Sequence, residues 1–192
     1  MNPYLRSLLS PDFDPDTLVP VSEKWVAYTL GNLFQKLSYR MHVICALTAA
    51  EMVLPIWERN TSATSLPIEE KDAPLQAIKM VRRWLVHPTP LAGLKTVADL
   101  AMQAADNFSD NTKNATGLAA VVRGAVYATA ISAGNAANTP SNVANTVNVV
   151  QDAGYATLIT AGDDFYSEWW NRCKPLLRLE YQDWIDRLRG EK

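Results

Sequence analysis

Apolar residues recur three and four positions apart along most of the chain, which is the spacing of one face of an α-helix. The clearest stripe covers residues 94–108, where the charged residues fall between the apolar ones. Its apolar members are Leu94, Val97, Ala98, Ala101, Ala105 and Phe108. Thr89 and Pro90 precede the stripe as an N-cap and a first-turn proline would, since that position needs no amide hydrogen. The pattern predicts a helix that begins at this threonine-proline pair.

A second stripe of the same period covers residues 75–85, directly before the first. Pro74 stands at its front, and His87 with Pro88 supplies a stop, because proline cannot continue a helix. The polar run 60–72 upstream contains a proline and is typical of a surface loop. We therefore expect a helix that begins at Pro74, after this loop.

Five further helices follow from the same spacing, and no segment alternates as a strand would. They are expected over residues 22–37, 39–59 with a kink or early end near Pro55, 116–138, 141–160, and 163–188 with a bend permitted at Pro175. No glycine-rich or serine-rich linker divides the 192 residues. The sequence predicts an all-α fold, a single compact bundle of six to eight helices. Residues 1–20 would form an irregular N-terminal arm and residues 163–192 an aromatic C-terminal helix.

The helices expected over 116–138 and 141–160 are built mainly from small residues such as alanine and glycine. Small side chains let helix backbones approach closely, so we expect these two helices to form the centre of the bundle. The larger side chains, including all six tryptophans, lie on the segments around them.

Composition argues against several classes of function. Lysine and arginine number 18 against 20 acidic residues, a net charge of −2, so no basic surplus favours nucleic acid or anionic lipid. The first residues show no secretory or transit pattern, and the apolar stretches 41–57 and 117–137 favour buried helices over membrane spans. Two distant cysteines, Cys45 and Cys173, suit a reducing compartment, although one disulfide between them is also compatible. We expect a soluble cytoplasmic protein.

The sequence contains few residues for catalysis or metal binding. Its two histidines, His42 and His87, stand in no recognisable motif. Glu51 follows His42 by nine residues, which places the two side chains on opposite faces of a helix. No Glu-x-x-His pair, phosphate-binding loop or nucleophile elbow is present. We expect no catalytic residue, no metal and no cofactor.

Asp163, Asp164 and Glu168 form an acidic group at the start of the C-terminal helix. Acids four apart on a helix have the spacing of cation ligands. Acids that follow a glycine also stabilise a helix start by capping and through the dipole, and this interpretation is favoured here.

Two surfaces are candidates for partner binding. Asparagines recur at helical spacing across the Thr139-Pro140 junction, although asparagine is a poor helix former. The row, which is consistent with a solvated face, with caps at the junction or with a hydrogen-bonding surface, comprises Asn135, Asn138, Asn142, Asn145 and Asn148. In the C-terminal helix, Trp169 and Trp170 lie about 100° apart, so one of them is expected to be partly exposed. The candidate partner-binding residues are Asn142, Asn145, Asn148, Asp163, Asp164, Glu168 and Trp169.

The middle of the chain resembles a known family. CALTAAEMVLPIWER at 45–59, then a polar loop and APLQAIKMVRRWLVHP at 73–88, is similar to the immunity proteins of bacterial polymorphic toxin systems. That family has an arginine-x-tryptophan type of helix ending, matched here by Arg82, Arg83 and Trp84. An alanine-rich helical pair follows in the family, as it does here at 125–153. The similarity covers roughly 45–160.

The resemblance implies a cytoplasmic helical protein that binds a cognate toxin and neutralises it by stoichiometric occlusion of the active site. The contact surface would measure about 800 Å² per partner. The protein would be a monomer or a homodimer. Two other functions stay open from the residues alone: a helical adaptor, and a small metal-dependent hydrolase that uses Asp163, Asp164, Glu168 and Glu51.

Overall fold

A computed structural model describes residues 39–62, 64–87, 93–111 and 165–189 of the chain. These residues form four α-helices, which are α1 (Tyr39–Thr61), α2 (Ile68–Val86), α3 (Leu94–Asn111) and α4 (Phe165–Arg189). None of the described residues is in a β-strand. The predicted all-α class is therefore confirmed for this part of the chain.

α1 and α2 form an antiparallel hairpin. Near the end of α1, the indole Nε1–H of Trp57 donates to the carbonyl of Lys71, near the start of α2, at 2.9 Å. Earlier in α1, Glu51 meets Arg82, which is late in α2, with 2.6 Å between Oε1 and Nε. The two contacts run in opposite order along the helices, so the chain reverses direction between them.

α3 packs on α2 and runs antiparallel to it. The side-chain amide of Asn107, late in α3, donates to both carboxylate oxygens of Glu70, early in α2, at 3.0 Å. The rings of Trp57 and Phe108 meet at the same end of the structure, with their centroids 5.5 Å apart. One end of the three-helix unit is thus held by a tryptophan, a phenylalanine and a largely buried carboxylate.

α4 packs on α1, to which it is connected by a long stretch of sequence. The indole Nε1–H of Trp169 donates to the carbonyl of Cys45, 124 residues earlier, at 3.0 Å. Phe165, Trp170 and Cys173 are buried on the same helix. The first three turns of α4 therefore carry the side chains that attach it to the rest of the fold.

α1 is buried over most of its circumference. At about 100° per residue, its buried positions span an arc of about 240°. These positions are Met41, His42, Val43, Cys45, Ala46, Leu47, Ala49, Ala50, Val53, Ile56, Trp57 and Thr61. α2 and α4 both pack on this arc, so α1 lies between these two helices.

α1 also meets a length and composition test for a membrane span, over Arg40–Thr61, with a mean hydropathy of 1.3. Of the window tested, 61% is buried inside the fold. The core helix of a soluble protein passes the same test, so this property is only a weak indication of a span.

The helix predicted over 39–59 is confirmed as α1, which has no early end at Pro55 and continues to Thr61. Pro55 is exposed on the outer face of the helix. The side chains of Asn60 and Thr61 then bond back to the carbonyls four residues earlier, at 2.7 and 2.8 Å. The N–H of Ser62 also donates to the carbonyl of Glu58 at 3.1 Å, so helical hydrogen bonding continues to the end of α1. The loop predicted over 60–72 is shorter, since only residues 62–67 separate α1 from α2.

α2 begins at Ile68, six residues before the predicted start at Pro74. Glu69 and Glu70 lie in its first turn, where negative charge is favoured by the helix dipole. Pro74 is buried inside the helix and forfeits one backbone hydrogen bond. The prediction was wrong because a helix tolerates that single loss when its ends and packing are favourable.

The boundary between α2 and α3 is partly as predicted. α2 ends at Val86 and His87 is its C-cap residue, which confirms the predicted stop. α3 begins at Leu94, and Gly93 directly before it has φ 87°, a left-handed conformation that favours glycine. A helix starting at the Thr89-Pro90 pair would have to pass through this glycine in helical geometry, so the predicted N-cap is wrong.

The apolar stripe of α3 is confirmed where its side chains are described. Ala101, Ala105 and Phe108 are buried, whereas Asp99 and Asp106 are exposed. α4 corresponds to the helix predicted over 163–188, and it continues through Pro175. The predicted N-terminal arm and the helices expected over 22–37, 116–138 and 141–160 lie outside the described residues.

Replacing Ala101 with aspartate should lower the free energy of unfolding by about 2–5 kcal/mol, because the methyl group is 2% exposed and a carboxylate there would be buried without a partner. Urea denaturation followed by circular dichroism measures the change. Asp99→Ala, at an exposed position on the same helix, is the control and should stay within about 0.5 kcal/mol. Equal effects of the two substitutions would contradict the burial of this stripe.

Candidate partner-binding surfaces

The structure describes two of the seven residues expected to bind a partner. Glu168 and Trp169 both lie in the first two turns of α4. The other five, which are Asn142, Asn145, Asn148, Asp163 and Asp164, lie outside the described residues.

Trp169 is 0% exposed and Trp170 is 2% exposed. The expectation that one of these rings is partly exposed is therefore wrong. Their centroids lie 6.2 Å apart, and Trp169 is hydrogen-bonded to Cys45 of α1. Two positions about 100° apart both fit within the face that a helix turns toward a core. In this structure, Trp169 holds α4 against α1 and offers no surface to a partner.

Glu168 is exposed, as a partner-binding residue would be. Its carboxylate accepts a hydrogen bond from the guanidinium of Arg172, one turn further along α4. Ion pairs between exposed side chains contribute little to stability. Their effect here is on charge: the glutamate is balanced by an arginine, so this part of the helix start is close to neutral.

An exposed apolar surface lies two turns further along α4, which we call the α4 leucine patch and define as Pro175, Leu176 and Leu179. Leu176 is 42% exposed and Leu179 is 69% exposed. At about 100° per residue, the patch shares an arc of about 100° with Glu168 and Arg172. An apolar centre with charged residues beside it is the usual composition of a protein-protein contact.

A second exposed surface lies on the last two turns of α2. We call it the α2 basic patch and define it as Lys79, Arg82, Arg83 and Val86. These residues have the spacing i, i+3, i+4 and i+7, which places them on one helix face. All four are exposed, with Val86 at 70%. The patch therefore places one aliphatic side chain at the end of a row of three cations.

Only one cation of this patch has an acidic partner among the described residues. Glu51 raises the pKa of Arg82 by accepting its hydrogen bond and by its negative charge, while slight burial of the guanidinium acts in the opposite direction. No carboxylate of the described segments lies within ion-pair distance of Lys79 or Arg83. The patch thus keeps an excess of positive charge on a chain whose net charge is −2.

The described residues that were considered for catalysis lie at separate positions in the fold and form no common site. His42 is buried in α1, and His87 is exposed at the end of α2. Two carboxylates of the hydrolase alternative, Glu51 and Glu168, each form an ion pair with an arginine, on different helices. Within the described segments, no three histidine, cysteine, aspartate or glutamate side chains are grouped as metal ligands would be.

The two cysteines are free thiols in this structure. Cys45 lies in α1 and Cys173 in α4, and both are 0% exposed. They behave as small apolar side chains between two packed helices.

The sequence analysis identified neither patch. The α2 basic patch had a signal, since the i, i+3, i+4 and i+7 spacing of three cations and a valine can be read directly from residues 79–86. The α4 leucine patch had no such signal in the sequence, because leucines at helical spacing are more often part of a core.

Comparisons of the chain with models of protein families, with curated proteins and with solved structures find no match. The exposed patches on α2 and α4 are therefore the structural observations from which a function can be proposed.

Proposed function

We propose that this chain binds another protein in a one-to-one complex, and that the bound protein is a toxin of the same bacterial cell. The observation that carries the proposal is the α4 leucine patch. Leu176 and Leu179 are large aliphatic side chains that the fold leaves in contact with water. Neighbouring exposed leucines with charged residues beside them favour a surface that a protein partner covers.

The resemblance to immunity proteins supplies the kind of partner. Such a protein neutralises a toxin by covering its active site, which requires a surface of about 800 Å² on each side. In this proposal the α4 leucine patch is the apolar centre of that surface, with Glu168 and Arg172 at its rim. The proposal also assigns to this surface Asp163, Asp164 and the asparagines at 142, 145 and 148. The acids suit a toxin with a basic cleft.

The proposal extends to the whole chain. We propose that the chain is a cytoplasmic bundle of six to eight helices, with the helices over 116–138 and 141–160 at its centre. It acts as a monomer or homodimer, catalyses no reaction, and uses no cofactor, nucleic acid or membrane.

Leu179→Ser is the variant that tests this surface. The purified chain is titrated with the toxin encoded beside it by isothermal calorimetry, and protection of cells from that toxin is measured in parallel. Because a leucine buried at an interface contributes about 1–3 kcal/mol, the substitution should raise the Kd about tenfold to a hundredfold and weaken protection. The thermal unfolding of the free chain should not change, since the side chain is 69% exposed.

Ile68→Ser is the matched control, because Ile68 is 75% exposed and lies on a different helix. It should leave the Kd unchanged. A toxin complex that forms equally well with Leu179→Ser would show that the α4 leucine patch is not the contact surface. If no neighbouring gene product binds the parent chain at micromolar concentration, the immunity proposal fails and an adaptor function replaces it.

A further inference from the structure

The α2 basic patch has a defined size and shape. Lys79 and Val86 mark its ends, and seven residues at the helical rise of about 1.5 Å give a length of about 10 Å. Arg82 and Arg83 lie between them on the same face. The Glu51 carboxylate holds Arg82 in place, with 2.6 Å between Oε1 and Nε, so one of the three cations is oriented before any partner arrives.

The fold itself gives little reason for this arrangement. Lys79 and Arg83 are four apart, and like charges at that spacing disfavour a helix. A cation in the last turn does complement the helix dipole, which accounts for Arg83 but not for Lys79 two turns from the end. Val86 is 70% exposed at the end of this row of charges, one turn beyond Arg82 and Arg83, and packs little against the fold. Positive charge and an aliphatic side chain are thus presented together to the solvent.

We infer that the α2 basic patch binds an acidic segment of a protein partner, and that an apolar side chain of this segment covers Val86. The inference rests on the proposed function and deepens it, since it states which surface chemistry the bound protein has at a second contact with this chain. Charge complementarity selects an acidic surface. The exposed valine favours a polypeptide over a phosphate backbone, because the phosphates that would contact the cations offer Val86 no aliphatic side chain.

The probe is a labelled synthetic peptide of about fourteen residues, rich in glutamate with one central leucine, which is longer than the patch whether helical or extended. Its binding to the full chain is measured by fluorescence anisotropy. We expect binding that weakens about tenfold between low and high salt, because exposed charges are screened. Lys79→Gln with Arg83→Gln should lower the affinity about tenfold, and glutamate at both positions should abolish binding.

Two controls separate the patch from general charge effects. Arg59→Gln removes an exposed cation from the last turn of α1, at the opposite end of the antiparallel hairpin, and should leave peptide binding unchanged. Val86→Ser should weaken binding of the leucine peptide but not of a peptide with serine in its place. Circular dichroism of each variant establishes that α2 is still folded.

Two results of the binding assays with the peptide and its competitors would overturn the inference. One is peptide binding that is the same in the double glutamine variant as in the parent chain. The other is tighter binding of a short DNA duplex or of anionic lipid vesicles than of the peptide, because the patch would then serve a phosphate-bearing partner. The peptide titration needs no toxin, so it decides this inference even if the immunity proposal fails. Conversely, a toxin complex that is lost in Leu179→Ser but unchanged in the double glutamine variant would retain the proposed function and reject this second contact.

Discussion

Replacing Trp57 with alanine should lower the free energy of unfolding by about 3–5 kcal/mol, the range for a large aromatic side chain removed from a core. The ring is 1% exposed and contacts Phe108 of α3, with centroids 5.5 Å apart. Its Nε1–H donates to the carbonyl of Lys71 in α2 at 2.9 Å. One side chain of α1 thus joins the two following helices, and its loss removes contacts with both.

Trp57→Phe separates the two parts of this effect. Phenylalanine retains most of the aromatic packing but cannot donate the hydrogen bond, so the loss should be about 1–3 kcal/mol. Both values come from urea unfolding monitored by circular dichroism. If Trp57→Ala were no more destabilising than a surface substitution, the assignment of this end of the three-helix unit as a core would be wrong.

Replacing Trp169 with alanine should have an effect of similar size, about 3–5 kcal/mol. The indole is 0% exposed, and it donates to the carbonyl of Cys45 in α1 at 3.0 Å. Because this residue lies at the contact between α4 and α1, its loss should also release α4. Limited proteolysis of the folded variant should therefore cut within 165–189 sooner than in the parent chain.

Leu179→Ala is the control for this prediction, since it lies on the same helix at 69% exposure. It should change the free energy of unfolding by less than about 0.5 kcal/mol and leave the protease pattern unchanged. A Trp169→Ala variant with parental stability would mean that α4 is held to the fold by other contacts, and would return this tryptophan to the candidates for partner binding.

Periodicity predicted the helices well where one face of a helix is buried. Ala101, Ala105 and Phe108 were expected on the buried face of α3 and are found there. The errors lie at helix ends, where two residue types both mark a helix start and the wrong one was preferred. Pro74 was taken as a start because proline is favoured in a first turn, but Glu69 and Glu70 marked the actual first turn.

The exposure of individual side chains was less predictable, for a physical reason. Trp169 and Leu179 are both apolar residues of one helix, and their spacing does not distinguish them. Burial depends on whether another helix reaches that turn, and the helix that covers Trp169 lies 124 residues earlier in the chain. The sequence therefore placed among the candidate partner-binding residues a tryptophan that the core occupies.

The contact between Cys45 and Trp169 also orders events during synthesis. α1, α2 and α3 follow one another closely and can pair as they leave the ribosome, because their contacts are local in sequence. α4 cannot dock until another 124 residues have been made, which takes about 6–25 s at a rate of synthesis of about 5–20 residues per second. Throughout that interval the side of α1 that receives Trp169 lacks this covering ring. A chaperone that recognises apolar helix surfaces would bind to this side of α1, and docking of α4 would displace it.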